Sequence, residues 1–139
     1  MADIAFLCVH NAGRSQMAEA LFNRLAEERG LALRAESAGT APAERVHPNV
    51  VQVMREAGMD LSERAPRLLT DGMVERAGRV VTMGCSPDAG ACPAILYAEV
   101  EDWGLPDPAG RPLAEVRAIR DEIAARVERL IDSLTAGRS

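Results

Sequence analysis

Ile4-Ala5-Phe6-Leu7-Cys8-Val9-His10-Asn11-Ala12-Gly13-Arg14-Ser15 is the stretch on which the fold turns. Its first four residues are an unbroken apolar run that stops at a Gly-containing loop, which predicts a short buried strand. Beyond the loop, residues 15–29 carry apolar side chains at Met17, Ala18, Leu21, Phe22 and Leu25. That is the spacing of one helix face. Ser15 can cap this helix and Gly30 can end it.

Outward from this stretch the alternation continues. Residues 31–35 read as a second strand and 37–42 as a loop. Pro48 stands where a helix begins, and Val50, Val51, Val53, Met54 and Ala57 carry it to Gly58. Residues 71–77 read as a short helix, 79–83 as a third strand, and 93–103 as the place of a short fourth one. Residues 113–134 form a long amphipathic helix through Val116, Ile119, Ile123, Val127, Leu130, Ile131 and Leu134. Strands alternating with helices predict an α/β fold, a three-layer sandwich whose central four-stranded parallel sheet has helices on both faces. Residues 1–139 make a single domain: the length suits one, and no repeat, low-complexity tract or linker divides it. Ligands of such folds bind at the carboxyl ends of the strands. Cys8 follows the first strand and Cys85 the third, so both are expected on that edge.

Composition narrows the function. Hydrophobic residues make up 47% and charged residues 27%, a globular balance. The net charge of −5 argues against general nucleic-acid binding, though a local basic pocket is compatible with it. All 16 basic residues are Arg, which excludes Schiff-base and Walker-type lysine chemistry. No apolar run approaches the roughly 20 residues of a membrane span. The N-terminus lacks the charged and apolar regions of a signal peptide. The expected location is therefore cytoplasmic, with no membrane partner. There the three Cys start as thiols, and an odd number fits poorly with a disulfide framework.

Cys8 to Ser15 carries the chemistry. The backbone N–H groups of Val9, His10, Asn11, Ala12, Gly13 and Arg14 can converge on one oxyanion, and the following helix adds positive potential. Arg14 can hold two oxygens of a tetrahedral anion as a fork. The same field favours a thiolate at Cys8. Ser15 can donate to that thiolate or cap the helix. Asn11 can hold the loop by its side chain and tolerates a left-handed backbone. Asp107, in Pro106-Asp107-Pro108-Ala109-Gly110, lies in a segment stiffened by prolines. A carboxylic acid held rigidly over an anion can protonate a leaving oxygen; by itself a Pro-Asp-Pro segment is more often only a turn. Asp102 is a nearby rival whose place before Trp103 better suits a strand end. Cys85 and Cys92 are separated by six residues, too many for the usual zinc pair, and His10 and His47 do not complete a site. No metal and no cofactor are expected. Pro87 and Gly90 between the two Cys suit a segment that rearranges, as thiol exchange requires; two inert Cys are the alternative.

Cys-Val-His-Asn-Ala-Gly-Arg-Ser-Gln-Met-Ala-Glu-Ala at residues 8–20 resembles the active-site loop and first helix of the low-molecular-weight tyrosine phosphatase superfamily, and its arsenate reductase branch most closely. The resemblance continues through Glu36-Ser37-Ala38-Gly39-Thr40, Val80-Val81-Thr82-Met83, the 103–110 segment and residues 116–123. It implies that Cys8 attacks arsenate, with Arg14 and Ser15 supporting it, while Asp107 acts as the general acid. It further implies that Cys85 then attacks Cys8, and that Cys92 closes a Cys85–Cys92 disulfide. The expected reductant is of the thioredoxin type, with a small thiol such as mycothiol or glutathione as the alternative. The other functional expectation is a protein tyrosine or small phosphoester phosphatase using Cys8, Arg14 and Asp107; a third is a non-catalytic anion or redox sensor. An aryl phosphate would want an apolar wall, and only Trp103 and Tyr97 could supply one outside the loop. A disulfide needs its Cα atoms about 5.5–6 Å apart. Cys85 must meet two partners in turn, so residues 84–94 are expected to change conformation between redox states. Some branch members hold potassium through an Asn, a Glu and a Ser matching Asn11, Glu19 and Ser37, plus an Asp that aligns with Arg67 here. Either Arg67 takes the place of the ion beside Glu19, or it is simply solvated.

Overall fold

The computed structural model describes residues 3–83 and 101–136. In chain order the elements are β1 (Ile4–Cys8), α1 (Arg14–Glu28), β2 (Ala35–Gly39), α2 (Pro48–Glu56), α3 (Asp71–Arg76), β3 (Arg79–Thr82), β4 (Glu101–Asp102) and α4 (Leu113–Thr135). The strands form one sheet in the order β2-β1-β3-β4, and every pairing is parallel. The chain leaves β1 toward β2 on one side and reaches β3 on the other. The carboxyl end of β1, Cys8, is therefore the point where the strand order reverses and where such sheets open a crevice.

Side chains of a strand alternate between its two faces. Ile4, Phe6 and Cys8 share the larger core with Val81, α1, α2 and α4. Ala5 and Leu7 share the smaller one with Ala38, Val80 and, from α3, Met73 and Val74. Helices therefore cover both faces of the sheet. Phe6 lies at the centre of the larger core, its ring 6.0 Å from Phe22 and 5.5 Å from Trp103. From α4, Val116, Ile119, Ile123, Val127, Leu130 and Ile131 are buried, a stripe of three- and four-residue steps. Each such side chain is worth about 1.5–3 kcal/mol on burial. Among the described residues no helix is long and apolar enough to cross a membrane.

Three boundaries differ from the sequence reading. The second strand is Ala35–Gly39, so Ser37, Ala38 and Gly39, expected in a loop, are strand residues. Its register runs from Ile4↔Ala35 to Cys8↔Gly39. Leu31 and Leu33 lie beyond the start of β1 and have no central strand to pair with. Their apolar character serves the core instead: Leu33 is buried and Leu31 packs against it. The first helix begins at Arg14 with Gly13 as its cap, so Ser15 is not the cap. The fourth strand is the short Glu101–Asp102, and Asp102 there accepts a 2.8 Å hydrogen bond from Thr82 Oγ1. Cys85, Cys92, Tyr97 and the 84–94 segment lie outside the described residues.

Candidate active site

The loop after β1 is shaped by where its carbonyl groups go. Cys8 O accepts from Thr40 N, Val9 O from Ala41 N, His10 O from Ala43 N and Ala12 O from His47 N, while Gly13 O accepts from Met17 N. These oxygens turn outward, toward the 40–47 segment and α1. In a trans peptide the N–H opposes the C=O. The amides of residues 9, 10, 11, 13 and 14 therefore turn inward. Asn11 N–H shows the direction, donating to Cys8 Sγ at 3.1 Å. The result is a concave ring of donors around a buried thiol, the geometry that binds anions.

Asn11 holds this ring. Its φ of 50° is left-handed, a conformation Asn tolerates better than most residues. Its side chain is fully buried. Nδ2 donates to Ser15 Oγ at 2.8 Å, and Oδ1 accepts from Gln16 Nε2 at 3.0 Å and from Arg67 N at 2.9 Å. Ser15 Oγ in turn lies 2.8 Å from Cys8 Sγ. Ser15 thus stands beside the thiol, where either group can be the donor, and does not cap the helix. Gln16 and Gly39 were not singled out by sequence reasoning. A Cβ on Gly39 would collide with Val9 O and sit 2.9 Å from Asn11 N, so the loop can close only over a glycine.

Arg14 begins α1. Its Nη1 donates to Met83 O at 3.1 Å and to Leu105 O at 2.6 Å, which fixes the guanidinium between β3 and the segment leading to Asp107. Asp107 is exposed. Its Oδ1 accepts from Ala109 N at 3.0 Å, an Asx turn that fixes the carboxyl on its own segment. Leu105 before it touches Arg14, and Pro108 after it packs on Gly13. A Cβ on Gly13 would lie 2.7 Å from Pro108 Cγ. The structure therefore brings Cys8, Arg14, Ser15 and the Asp107 segment to one strand edge.

The neighbouring carboxylate bears on the two alternatives for Arg67, and the exposed Arg67 side chain agrees with the second, a solvated one. Glu19 is buried; its Oε1 accepts from Ser37 Oγ at 3.0 Å and its Oε2 pairs with Arg64. Arg64, not Arg67, is the cation beside Glu19. Arg67 instead supplies backbone, donating its N–H to Asn11 and accepting from Gly39 N. Burial, reinforced by nearby Arg67, lowers the pKa of Arg64 below the ordinary guanidinium value. Because a side chain of this chain already neutralises Glu19, the Asn11, Glu19 and Ser37 set does not fit a bound potassium ion. Among the described residues no three His, Cys, Asp or Glu side chains gather as metal ligands. The described aromatic side chains, Phe6, Phe22 and Trp103, are all buried in the core.

Comparison with known proteins follows the same lines. Residues 3–139 match the model of the low molecular weight phosphotyrosine protein phosphatase family. A Halobacterium salinarum protein, provisionally named an arsenate reductase, is 47% identical over 132 residues, covering 91% of this chain and 89% of its own. The thioredoxin-dependent arsenate reductase of Corynebacterium glutamicum superposes with a TM-score of 0.75 at 34% identity, over 99% of this chain and 64% of that one. The arginine phosphatase YwlE of Bacillus subtilis superposes with a TM-score of 0.84 at 26% identity, over 98% of this chain and 97% of that one.

Proposed function

The chain belongs to the low molecular weight phosphotyrosine protein phosphatase family, and from that membership we propose that it reduces arsenate to arsenite, using Cys8 as nucleophile. The observation that carries this reading is the donor ring around the buried Cys8, with Arg14 fixed beside it. Such a ring suits a small tetrahedral oxyanion.

The amides of the 9–14 loop and Arg14 hold the anion. Cys8 Sγ forms an S–As bond while an As–O bond breaks, and the proton of Asp107 departs with that oxygen as water. The Cys85 thiolate then attacks Cys8 Sγ. An S–S bond forms and the S–As bond breaks with its electron pair left on arsenic, which passes from arsenic(V) to arsenic(III) and leaves as arsenite. Cys92 next attacks Cys85, freeing Cys8 as a thiolate. A dithiol protein of the thioredoxin type in the cytoplasm supplies two electrons to reopen the Cys85–Cys92 disulfide. These are displacements at sulfur, governed by access and thiolate fraction. Exposure of Asp107 leaves room for a leaving group larger than hydroxide, and the likeness to an arginine phosphatase supports a second reading in which the same three residues hydrolyse a phosphorylated substrate.

The test is turnover of arsenate with thioredoxin, thioredoxin reductase and NADPH, set beside hydrolysis of p-nitrophenyl phosphate. Arsenate-dependent NADPH oxidation is expected, abolished by Cys8→Ser. Cys92→Ser should complete one turnover and then hold a Cys8–Cys85 disulfide, visible by mass. Sustained turnover of Cys92→Ser with thioredoxin alone would overturn the three-thiol relay in favour of an outside thiol. Hydrolysis without reduction would establish the second reading.

A further inference from the structure

Asp107 is carried by an exposed excursion of the chain that is stiff within itself. Besides the Asx turn to Ala109, Arg111 Nε donates to Asp107 O at 2.6 Å and Arg111 N to Pro108 O at 3.1 Å. A stiff unit is positioned by its attachments. Upstream, Leu105 O is held by Arg14. Downstream, the attachment is Asn49, the second residue of α2. Its Nδ2 donates to Pro108 O at 2.8 Å and to Arg111 O at 3.2 Å.

Two features make Asn49 more than an incidental bond. Its Oδ1 is buried without a partner. Turning the amide over would satisfy nothing, because it would set an oxygen against two carbonyl oxygens. The side chain therefore leaves an acceptor unpaired in order to place both donors on the Asp107 segment. Its own position is also referenced to the anion loop. His47 N donates to Ala12 O at 2.9 Å, two residues before Asn49. The path from the donor ring to the acid is thus Ala12 to His47 to Asn49 to Pro108, with the Pro108 ring resting where Gly13 lacks a side chain.

We propose that Asn49 is a positioning residue: by bridging Pro108 O and Arg111 O from the start of α2, it sets the height of the Asp107 carboxyl above the Cys8 loop. This rests on the reading of Cys8, Arg14 and Asp107 as the reacting set. Asn49 touches neither the anion nor the thiol, so its loss should spare anion binding and impair only steps that need a proton on the departing oxygen. Misplacing a reacting group by about 1 Å costs up to about 100-fold in rate.

The experiment is a leaving-group series of aryl phosphates, with arsenate reduction alongside, for wild type, Asn49→Ala, Asp107→Asn and the double variant. Asn49→Leu keeps the bulk without the donors, in case the alanine variant folds poorly, and Asn49→Gln keeps both donors. The expected result is a fall in kcat of about 10-fold or more for phenyl phosphate and for arsenate, and little change for 2,4-dinitrophenyl phosphate, whose leaving group needs no proton. The inhibition constant of inorganic phosphate should be unchanged. Asn49→Ala should have no further effect once Asp107 is Asn, and Asn49→Gln should restore part of the rate. An equal loss across the series, an effect that persists in the Asp107→Asn background, or no effect at all would overturn the proposal. Wild type inactive on every substrate, or an Asp107→Asn variant with unaltered leaving-group dependence, would overturn the underlying reading and the proposal with it.

Discussion

At Gly39 the missing side chain is what admits the anion loop. Val9 O and Asn11 N occupy the space a Cβ would need, and both are backbone atoms, so neither can swing aside. Gly39 is also fixed on its other edge, donating to Arg67 O and accepting from Leu69 N. Gly39→Ala should therefore displace the loop rather than β2. Overpacking of this kind costs about 1–3 kcal/mol, and borne by the loop it should weaken inorganic phosphate binding by roughly 10-fold or more. Titration of the variant by calorimetry checks this; wild-type affinity would show that β2 had yielded instead. Cys8, Arg14 and Ser15 could be named as candidates from the sequence because a thiol, a guanidinium and a hydroxyl follow one another in a single loop, and Asp107 joined them through the family resemblance. Gly39, Gln16, Asn49 and Arg64 could not, because each matters only through a neighbour from another part of the chain. No local signal could have marked Gln16 beforehand, because its partner Asn11 lies in the left-handed loop before α1 and not one helical turn away.

At the scale of elements, α2 and α4 are laced by charge as well as by their apolar faces. Arg117 donates to Glu56 Oε1 at 2.9 Å and Oε2 at 2.8 Å, and Arg120 reaches Oε1 at 3.3 Å while also bonding Val53 O. The Arg117 hydrogen bonds lead in holding the Glu56 carboxyl below its ordinary 4.5. A carboxylate whose folded-state pKa is depressed adds stability above its unfolded value, and that stability is lost as pH falls through the folded one. Glu56→Gln should therefore lower the unfolding temperature modestly at pH 7, and the gap to wild type should narrow as pH falls below the ordinary 4.5. Thermal unfolding across that range checks it; a gap independent of pH would mean that the carboxylate charge contributes nothing. Both helices were readable from their periodicity, since Val50, Val53 and Met54, and the α4 stripe, are set by the 3.6-residue turn alone. The start of β2 was not. An apolar run at 31–35 has strand character, yet pairing is decided by where β1 begins and by which residues are small enough to lie beside the loop.

For the whole molecule, the site is a junction. The ring around Cys8 is tied to β1, to the 40–47 segment, through Asn11 to the 64–69 segment, and through Arg14 to β3 and Leu105. An oxyanion bound there stabilises elements far apart in the chain. At 100 times its Kd, phosphate should add about 2.7 kcal/mol, a rise in Tm of about 8 °C for a domain of this size. Arg14→Ala should abolish the rise; an undiminished rise in that variant would place the anion elsewhere. The alternation of apolar and amphipathic segments was enough for the parallel sheet, its two helical layers and the strand edge bearing Cys8, because these follow from local periodicity and from the need to bury both faces of a sheet. The chemistry of the first loop was equally local. Which arginine neutralises Glu19, whether Ser15 caps a helix or meets a thiol, and what holds Asp107 were decided only in three dimensions. Each is a contest among several chemically equivalent groups, and the winner is whichever one packing delivers within hydrogen-bond reach.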